Sequence, residues 1–217
     1  MASGLARFVE VGRKIVCVGR NYSEHAAELG NKVPSEPVIF IKPTSSYVTE
    51  GNPIKIPHGS TNLHHEVELG VVIGKTGSNI PESSAMQHVG GYTLALDMTA
   101  RDVQDQLKKK GLPWTLAKGF DTACPIGPFV PLEKIPDPQN VGIWLKVNDI
   151  MKQNGNTKDM IFRIPFLIKF VSQFMTLDVG DVILTGTPSG VGPVTAGDVI
   201  TCGLTDIVSM SFNVAKD

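Results

Sequence analysis

Three acidic residues in two short segments have the types and spacing of a cation site. Glu66 and Glu68 are separated by one residue within the segment 63–70, and Asp97 follows the mostly apolar run 93–96. In a β-strand, side chains two residues apart point to the same face with Cβ atoms about 7 Å apart, so both glutamates can converge on one cation. Oxygen donors without a matching Cys or His pair favour Mg²⁺ or Mn²⁺ over Zn²⁺. The same residues would also suit an edge strand whose glutamates face water and a turn that contains the aspartate.

The two histidines beside this pair are interpreted as structural residues. His64 lies two positions before Glu66 and would share its face of the strand, whereas the adjacent His65 would point the other way. We expect hydrogen bonds to hold both imidazoles, and ligation by His64 is the alternative.

Three carboxylates and one divalent cation leave a charge of −1, so an anionic substrate needs further positive charge nearby. The segment 100–110 is predicted to be helical, and it begins shortly after Asp97. Arg101, Gln104 and Lys108 fall at positions i, i+3 and i+7 of this helix, which places them on one stripe. Lys108 would equally suit a solvated surface charge.

Three more cations are candidates for the same site. Lys118 lies in the largely apolar and aromatic segment 113–119, where an ammonium would be partly desolvated. Lys42 ends a predicted strand, and Arg20 directly follows Gly19. Lys42 would also suit an exposed position at the end of its strand.

A histidine and a glutamate are placed to form a general base. Asn21 or Ser23 can cap a short helix that runs through Glu28, and His25 lies three residues before that glutamate on the same face. A carboxylate beside an imidazole raises its basicity and fixes its tautomer, as activation of a water molecule requires. The same spacing also occurs in exposed helix pairs.

A glycine-rich segment near the C-terminus is a candidate anion site. Residues 185–192 leave a predicted strand, and their N–H groups together with the Thr187 hydroxyl could hold a carboxylate. The segment lacks the Lys-Ser/Thr ending of a nucleotide-binding loop, which disfavours ATP.

Taken together, the motifs resemble the fumarylacetoacetate hydrolase superfamily, and the match runs from about residue 12 to the C-terminus. They occur in the order seen in that superfamily: residues 19–22 with His25 and Glu28, then 40–43, 65–68, 96–102, Lys118 and 184–188. The resemblance implies an α+β fold, mostly β, of the mixed β-sandwich roll type with a few short helices. It also implies a homodimer and a small-molecule substrate.

The resemblance assigns a role to each candidate residue. It implies that Mg²⁺, or Mn²⁺, binds to three carboxylates. Those ligands are Glu66, Glu68 and Asp97; the catalytic residues are His25, Glu28 and Lys118; the substrate contacts are Arg101, Gln104 and Thr187, with Arg20 and Lys42 as further candidates. The implied activities are hydrolysis of acylpyruvates to pyruvate and a carboxylic acid, and decarboxylation of oxaloacetate, both through a pyruvate enolate held by the metal.

Two alternative functions stay open on the sequence alone. One is keto–enol tautomerisation of oxaloacetate, or isomerisation of a related diketo acid, within the same superfamily. The other is non-catalytic binding of small dicarboxylates by a pocket that has kept its residues. The complete set of acids, base and lysine argues against the second alternative.

The elements that must position these residues are mostly short strands. Glycine and proline supply 22 and 15 residues, an excess that is typical of a chain with many turns. The strands are predicted at 14–19, 37–43, 64–73 and 91–97, with further strands in the near-repeats 180–186 and 197–203. Helices are predicted at 100–110, which Thr99 opens with capping-box spacing to Asp102, and at 165–174, where phenylalanine recurs every four residues. We expect residues 1–217 to form one catalytic domain.

Composition and charge exclude several other classes of protein. A hydrophobic content of 41% rules out a disordered chain, and a formal net charge of −1 disfavours a nucleic-acid partner. No apolar run is long enough to cross a bilayer, so no membrane association is expected. Cys17, Cys124 and Cys202 are far apart and read as reduced, buried thiols. The first ten residues show no signal peptide; the resemblance favours a mitochondrial location, with the cytosol as the alternative.

Overall fold

A computed structural model describes residues 2–22 and 34–216 of the protein. Within them the chain forms 16 strands, most of them short, which confirms the predicted mostly-β class. The strands are β1 (Ile15–Gly19), β2 (Val38–Lys42), β3 (Tyr47–Val48), β4 (Ile54–Ile56), β5 (Leu63–His65), β6 (Val67–Ile73), β7 (Val89–Leu96), β8 (Thr99–Ala100), β9 (Cys124–Pro125), β10 (Val130–Pro131), β11 (Gly142–Val147), β12 (Ile150–Asn156), β13 (Val182–Leu184), β14 (Gly192–Val194), β15 (Val199–Leu204) and β16 (Val208–Lys216).

Two larger sheets and two small ones organise these strands. The first has six strands in the order β10-β7-β6-β13-β1-β2, and the second has five in the order β12-β11-β15-β16-β4. Each contains one parallel pair, β1 with β13 and β16 with β4, among antiparallel neighbours. Strands β14, β5 and β8 form a third sheet, and β3 pairs with β9. Both larger sheets are therefore mixed, as the resemblance implies.

The parallel pair within the six-stranded sheet determines where the site lies. Ile15 pairs with Val182 and Cys17 with Leu184, so β1 and β13 end at the same edge of the sheet. Arg20 follows β1 there, and the glycine-rich segment follows β13. Strand β6 begins at this edge because it runs antiparallel to β13.

The described helices are few and short, in agreement with the prediction. They are α1 (Ala2–Leu5), α2 (Phe8–Val11), α3 (Arg101–Lys110), α4 (Thr115–Lys118) and α5 (Ile164–Ser172). Four 3₁₀ helices lie at Thr44–Ser46, Glu82–His88, Leu132–Lys134 and Thr157–Asp159. None of the described helices is long and apolar enough to span a membrane.

Helix α3 begins one residue later than predicted, and the predicted capping box is wrong. Ala100 is the N-cap residue, and no side chain caps the helix. Thr99 instead lies in β8, where its hydroxyl contacts Glu66, while Asp102 accepts hydrogen bonds from the segment before β5. The helix ends at Gly111, whose φ of 64° lies in the left-handed region that glycine tolerates.

Helix α5 carries Phe166 and Phe170 of the predicted phenylalanine repeat, and Phe174 lies two residues beyond its end. Its buried positions include Leu167, Ile168 and Val171, which pack on the core. The rings of Phe166 and Phe170 lie side by side with centroids 6.2 Å apart and are only partly buried. The spacing that predicts the helix is therefore a surface pattern.

The strand predicted at 64–73 is interrupted at Glu66, which lies between the end of β5 at His65 and the start of β6 at Val67. All seven residues of β6 are buried, so both of its faces pack against other parts of the protein. An edge strand with glutamates in water is thereby excluded. The three cysteines are buried and free, as predicted.

Candidate active site with a carboxylate cluster

Strand pairing brings the three acidic residues together. Strands β6 and β7 pair antiparallel, with Val67 opposite Leu96, so Glu66 lies opposite Asp97 just beyond both strands. The N–H of Asp97 donates to the carbonyl of Glu66 over 2.8 Å. Glu68 lies two residues along β6 on the same face, and ligand atoms of the three carboxylates all lie within 4.8 Å of one another. All three are buried.

Two of the three carboxylates are paired with cations. The Lys118 ammonium contacts Glu66 Oε2 at 3.0 Å and Asp97 Oδ2 at 2.7 Å. The Arg101 guanidinium donates to Glu66 Oε1 over 2.5 Å, and Lys42 Nζ lies 2.8 Å from Asp97 Oδ1. Burial opposes the charge of Lys118, but Asp97 and Glu66 outweigh it and raise the lysine pKa.

Glu68 has a different environment from the other two. No Lys or Arg within residues 2–22 and 34–216 forms an ion pair with it. Its Oε2 accepts a hydrogen bond of 2.6 Å from the N–H of Gly186. Burial, followed by the charges of Asp97 and Glu66, raises the pKa of Glu68 well above its ordinary value. An all-oxygen, buried, crowded set of this kind fits a small divalent cation.

The glycine-rich segment supports the cluster from the other side. Gly186 has a φ of 97°, and an added Cβ would lie 2.7 Å from the Cβ of Asn21, so a side chain is excluded there. Thr187 donates its hydroxyl to the carbonyl of Val67 over 2.8 Å. The carboxylate that this segment holds is therefore the protein's own Glu68.

The structure places the predicted substrate-contact residues at two depths. Arg101 and Gln104 share a hydrogen bond of 2.7 Å and line a narrow polar cleft over the cluster. Arg20 also lines this cleft, with a left-handed φ of 60° that costs backbone strain. Thr187 and Lys42 lie deeper, and the Lys42 ammonium is fully buried against Asp97 and the carbonyls of Met98 and Lys118.

The predicted catalytic residues His25 and Glu28 fall outside the described residues.

The two histidines have the structural environment that was expected. His64 Nε2 lies 3.0 Å from Asn62 Oδ1, and burial together with Arg101 lowers the pKa of His64 to about 4. His65 Nδ1 lies 3.0 Å from Gln153 Oε1, and burial lowers its pKa as well.

Three supporting residues escape prediction from the sequence. Gln153 is the one buried residue of β12; it accepts from the N–H of Val67 and donates to Thr187 and to the carbonyl of Pro188. Phe40 and Trp114 frame Lys118, with the ammonium 4.8 Å from the Phe40 ring centroid. Polar neighbours hide Gln153 in the sequence, whereas the aromatic character of segment 113–119 was a signal for Trp114.

Comparison with known proteins agrees with this architecture. The family described as "Fumarylacetoacetate (FAA) hydrolase C-terminal" matches residues 14–215. The chain is 58% identical to the mitochondrial oxaloacetate tautomerase FAHD1 of Homo sapiens over 98% of this chain and 96% of that protein. It is 59% identical to the mitochondrial oxaloacetate decarboxylase of Dictyostelium discoideum over 96% of each. The crystal structure of fumarylpyruvate hydrolase from Pseudomonas aeruginosa, in complex with Mn²⁺ and pyruvate, superposes with a TM-score of 0.90 at 36% identity, covering 95% of this chain and 91% of that one.

Proposed function

The chain belongs to the fumarylacetoacetate hydrolase family, and on that premise we propose that it is an enzyme acting on oxaloacetate and acylpyruvates. The observation that carries the proposal is the buried cluster of Glu66, Glu68 and Asp97 with Lys118 against it. In the finer form of the proposal, it hydrolyses acylpyruvates to pyruvate and a carboxylic acid and decarboxylates oxaloacetate to pyruvate and CO₂.

A divalent cation is part of this proposal, with Mg²⁺ as the first candidate and Mn²⁺ as the second. Glu66, Glu68 and Asp97 would hold it, since they offer oxygen donors without a soft ligand. The Mn²⁺ and pyruvate in the Pseudomonas aeruginosa structure support both the ion and a pyruvate unit. When bound, the ion supplies Lewis-acid polarisation of the carboxylate and 2-oxo groups of the substrate.

The residues of the chain divide the remaining work by position. Arg101 and Gln104 line the cleft and orient the anionic substrate. The Lys118 ammonium stabilises the negative charge that develops on the C4 oxygen when water attacks. His25, oriented by Glu28, takes the proton from that water. Cleavage of the C3–C4 bond then releases the carboxylic acid and leaves pyruvate enolate, which is protonated at C3.

Oxaloacetate can react at the same site without a water molecule. Cleavage of its C3–C4 bond releases CO₂ and leaves the same enolate. Tautomerisation is the second candidate function, because the human relative is named an oxaloacetate tautomerase. That reaction needs only a proton removed from C3 and one delivered to the C2 oxygen, so it uses the same anion-binding residues and breaks no C–C bond.

The domain organisation and the cellular location of the enzyme are proposed from the same comparisons. We treat residues 1–217 as one catalytic domain, since the family match spans 14–215 without a break. A mitochondrial location follows the names of the human and Dictyostelium discoideum relatives. The homodimer implied by the sequence resemblance stays a prediction.

The proposal is tested by pyruvate release from acetylpyruvate and from oxaloacetate, measured in parallel with Mg²⁺, Mn²⁺ or EDTA. Metal-dependent turnover of either substrate is expected, and full activity in EDTA would contradict the metal site. Exchange of the C3 protons of oxaloacetate, without pyruvate release, would favour the tautomerase. Binding without any turnover would leave a dicarboxylate binder.

The division of labour has its own test in His25→Ala. Loss of the general base should lower acylpyruvate hydrolysis by about 10²-fold or more, while decarboxylation, which needs no water, falls much less. Equal loss of both activities would contradict the role of His25.

A further inference from the structure

Lys118 lies on the wall between two cavities of different chemistry. One is the polar cleft over the carboxylate cluster, with a volume of about 30 Å³. The other is a pocket of about 380 Å³ formed by residues 38–41 and 112–115 together with Lys118. Phe40, Trp114 and Lys118 line both. The two cavities therefore adjoin at these three side chains.

The walls of the two cavities favour different chemical groups. Among the residues that line the cleft are Arg20, Arg101 and Lys108, so a carboxylate is favoured there. The lining of the larger pocket is mainly apolar, and Lys118 is its one charged member. The Phe40 and Trp114 rings pack with centroids 5.6 Å apart and present apolar surface at the boundary. Its volume lies in the range of small-molecule sites.

We propose that this pocket, named here the acyl pocket, binds the apolar chain of acylpyruvates longer than acetylpyruvate. The proposal rests on the proposed function: with the pyruvate end of the substrate at the carboxylate cluster, the C4 carbonyl lies near Lys118. The atoms beyond C4 then continue into the acyl pocket. Oxaloacetate ends in a carboxylate and remains in the cationic cleft, so the two substrate classes separate at Phe40 and Trp114.

The test is the dependence of hydrolysis on chain length. From acetyl- to hexanoylpyruvate, kcat/KM should rise by about two- to fourfold for each added methylene, the factor expected when a CH₂ group leaves water. Leu112→Asp introduces a charge at a pocket position that is 49% exposed, so folding should be retained. It should lower the hexanoyl-to-acetyl ratio by at least about tenfold and leave oxaloacetate turnover unchanged.

Two further variants complete the design. Ile41→Glu alters the opposite wall and should have the same effect, which keeps the test decisive if Leu112→Asp fails to fold. Leu132→Asp is the matched control, because Leu132 is 40% exposed and does not line the acyl pocket. It should leave the chain-length dependence intact.

A binding measurement separates failure of the acyl pocket from failure of the proposed function. The chain has two tryptophans, so Trp144→Phe leaves Trp114 as the single tryptophan, whose emission is excited selectively over that of the three tyrosines. The probe 2-oxooctanoate, which has no C4 carbonyl to hydrolyse, should change this fluorescence, whereas pyruvate should change it little. If no substrate is turned over, a response to 2-oxooctanoate that Leu112→Asp abolishes still supports the acyl pocket.

Three results would overturn the proposal. One is a kcat/KM that is flat or falls with chain length. Another is an equal loss of acetyl- and hexanoylpyruvate turnover in Leu112→Asp. The third is a change in the oligomeric state of that variant without a change in chain-length dependence. This result would mean that a second copy of the chain covers this face.

Discussion

The two ends of strand β13 hold buried carboxylates in opposite ways. Asp181 precedes the strand and is fully buried, and its carboxylate accepts hydrogen bonds from the N–H groups of Arg13, Lys14 and Asp178. The Lys14 ammonium pairs with the same carboxylate. Every donor comes from the chain itself, so the charge of Asp181 is compensated in the folded protein.

At the other end, Gly186 follows the strand and donates to Glu68. Glu68 stands beside two further carboxylates, and burial together with their charges raises its pKa. Both carboxylates are equally inaccessible, so burial alone does not separate a structural acid from a reactive one. Among residues 2–22 and 34–216, the difference lies in how much positive charge surrounds each carboxylate, and the deficit at Glu68 is what a divalent cation would fill.

The largest effect on metal binding and activity is expected from a substitution of Glu68. Glu68→Gln keeps the size of the side chain but removes one charged ligand, so Mn²⁺ affinity measured by calorimetry should fall by at least about 100-fold. Turnover of oxaloacetate should fall by about 10³-fold or more, because Lewis-acid stabilisation is worth several kcal/mol. Without metal, the variant should be at least as stable as the wild type, since a like-charge contact is removed.

Asp97→Asn is the matched variant for this prediction. It also removes a carboxylate from the cluster, but it takes the charged partner Asp97 away from the buried Lys42 ammonium and leaves Lys118 paired with Glu66 alone. The free energy of unfolding in EDTA should therefore fall for Asp97→Asn and not for Glu68→Gln. Equal destabilisation by both variants would mean that Glu68 is as well compensated as Asp97.

The next largest effect, on stability, is expected from a substitution of Asp181. Asp181→Asn removes the charge that pairs with Lys14 and weakens hydrogen bonds from the backbone, so the free energy of unfolding in urea should fall by about 3 kcal/mol. The kcat/KM of the folded fraction should not change, since the site lies at the far end of the strand. A selective loss of activity without loss of stability would contradict a purely structural role.

The sequence predicts the acidic cluster because strand periodicity controls it locally. Glu66 and Glu68 are two residues apart, and Asp97 ends a strand that is apolar enough to be recognised. Their meeting depends on one further fact, the pairing of β6 with β7. That pairing was not predicted, although strands that are consecutive in the chain are often neighbours in a sheet.

The depth of the cations could not be predicted, because it depends on contacts between distant parts of the chain. Lys42 ends its strand as expected, yet its ammonium is buried against Asp97 and the carbonyl of Lys118. Nothing within the segment around Lys42 distinguishes that environment from an exposed strand end. The same reason explains why Thr99 was predicted as a helix cap, when its hydroxyl contacts Glu66 across the sheet.

Asp102 sharpens the comparison, because it is well hydrogen-bonded but much less buried than Asp181. Burial is the largest single influence on its pKa and opposes the charge, but hydrogen bonds from Thr61, Ser60 and the N–H of Val103 together outweigh burial and lower the pKa. If hydrogen-bond donors, rather than burial, let a carboxylate stabilise the fold, Asp102→Asn should lower the free energy of unfolding at pH 7. The expected loss is about 1 kcal/mol, which includes a reduction for solvent screening.

The pH dependence of that difference follows from the direction of the shift. A carboxyl group whose pKa is lower in the folded state contributes stability above its unfolded pKa of about 4, and this contribution is lost as the pH falls through the folded value. The free energies of unfolding of the wild type and Asp102→Asn, measured in urea, should therefore converge as the pH falls from about 5 through the folded pKa of Asp102. Asp105→Asn on the same helix is the control, because the Asp105 carboxylate is exposed and lies 3.7 Å from Lys108. It should change stability by less than about 0.5 kcal/mol at either pH, and an effect as large as that of Asp102→Asn would show that helix charge, rather than the donors around Asp102, is responsible.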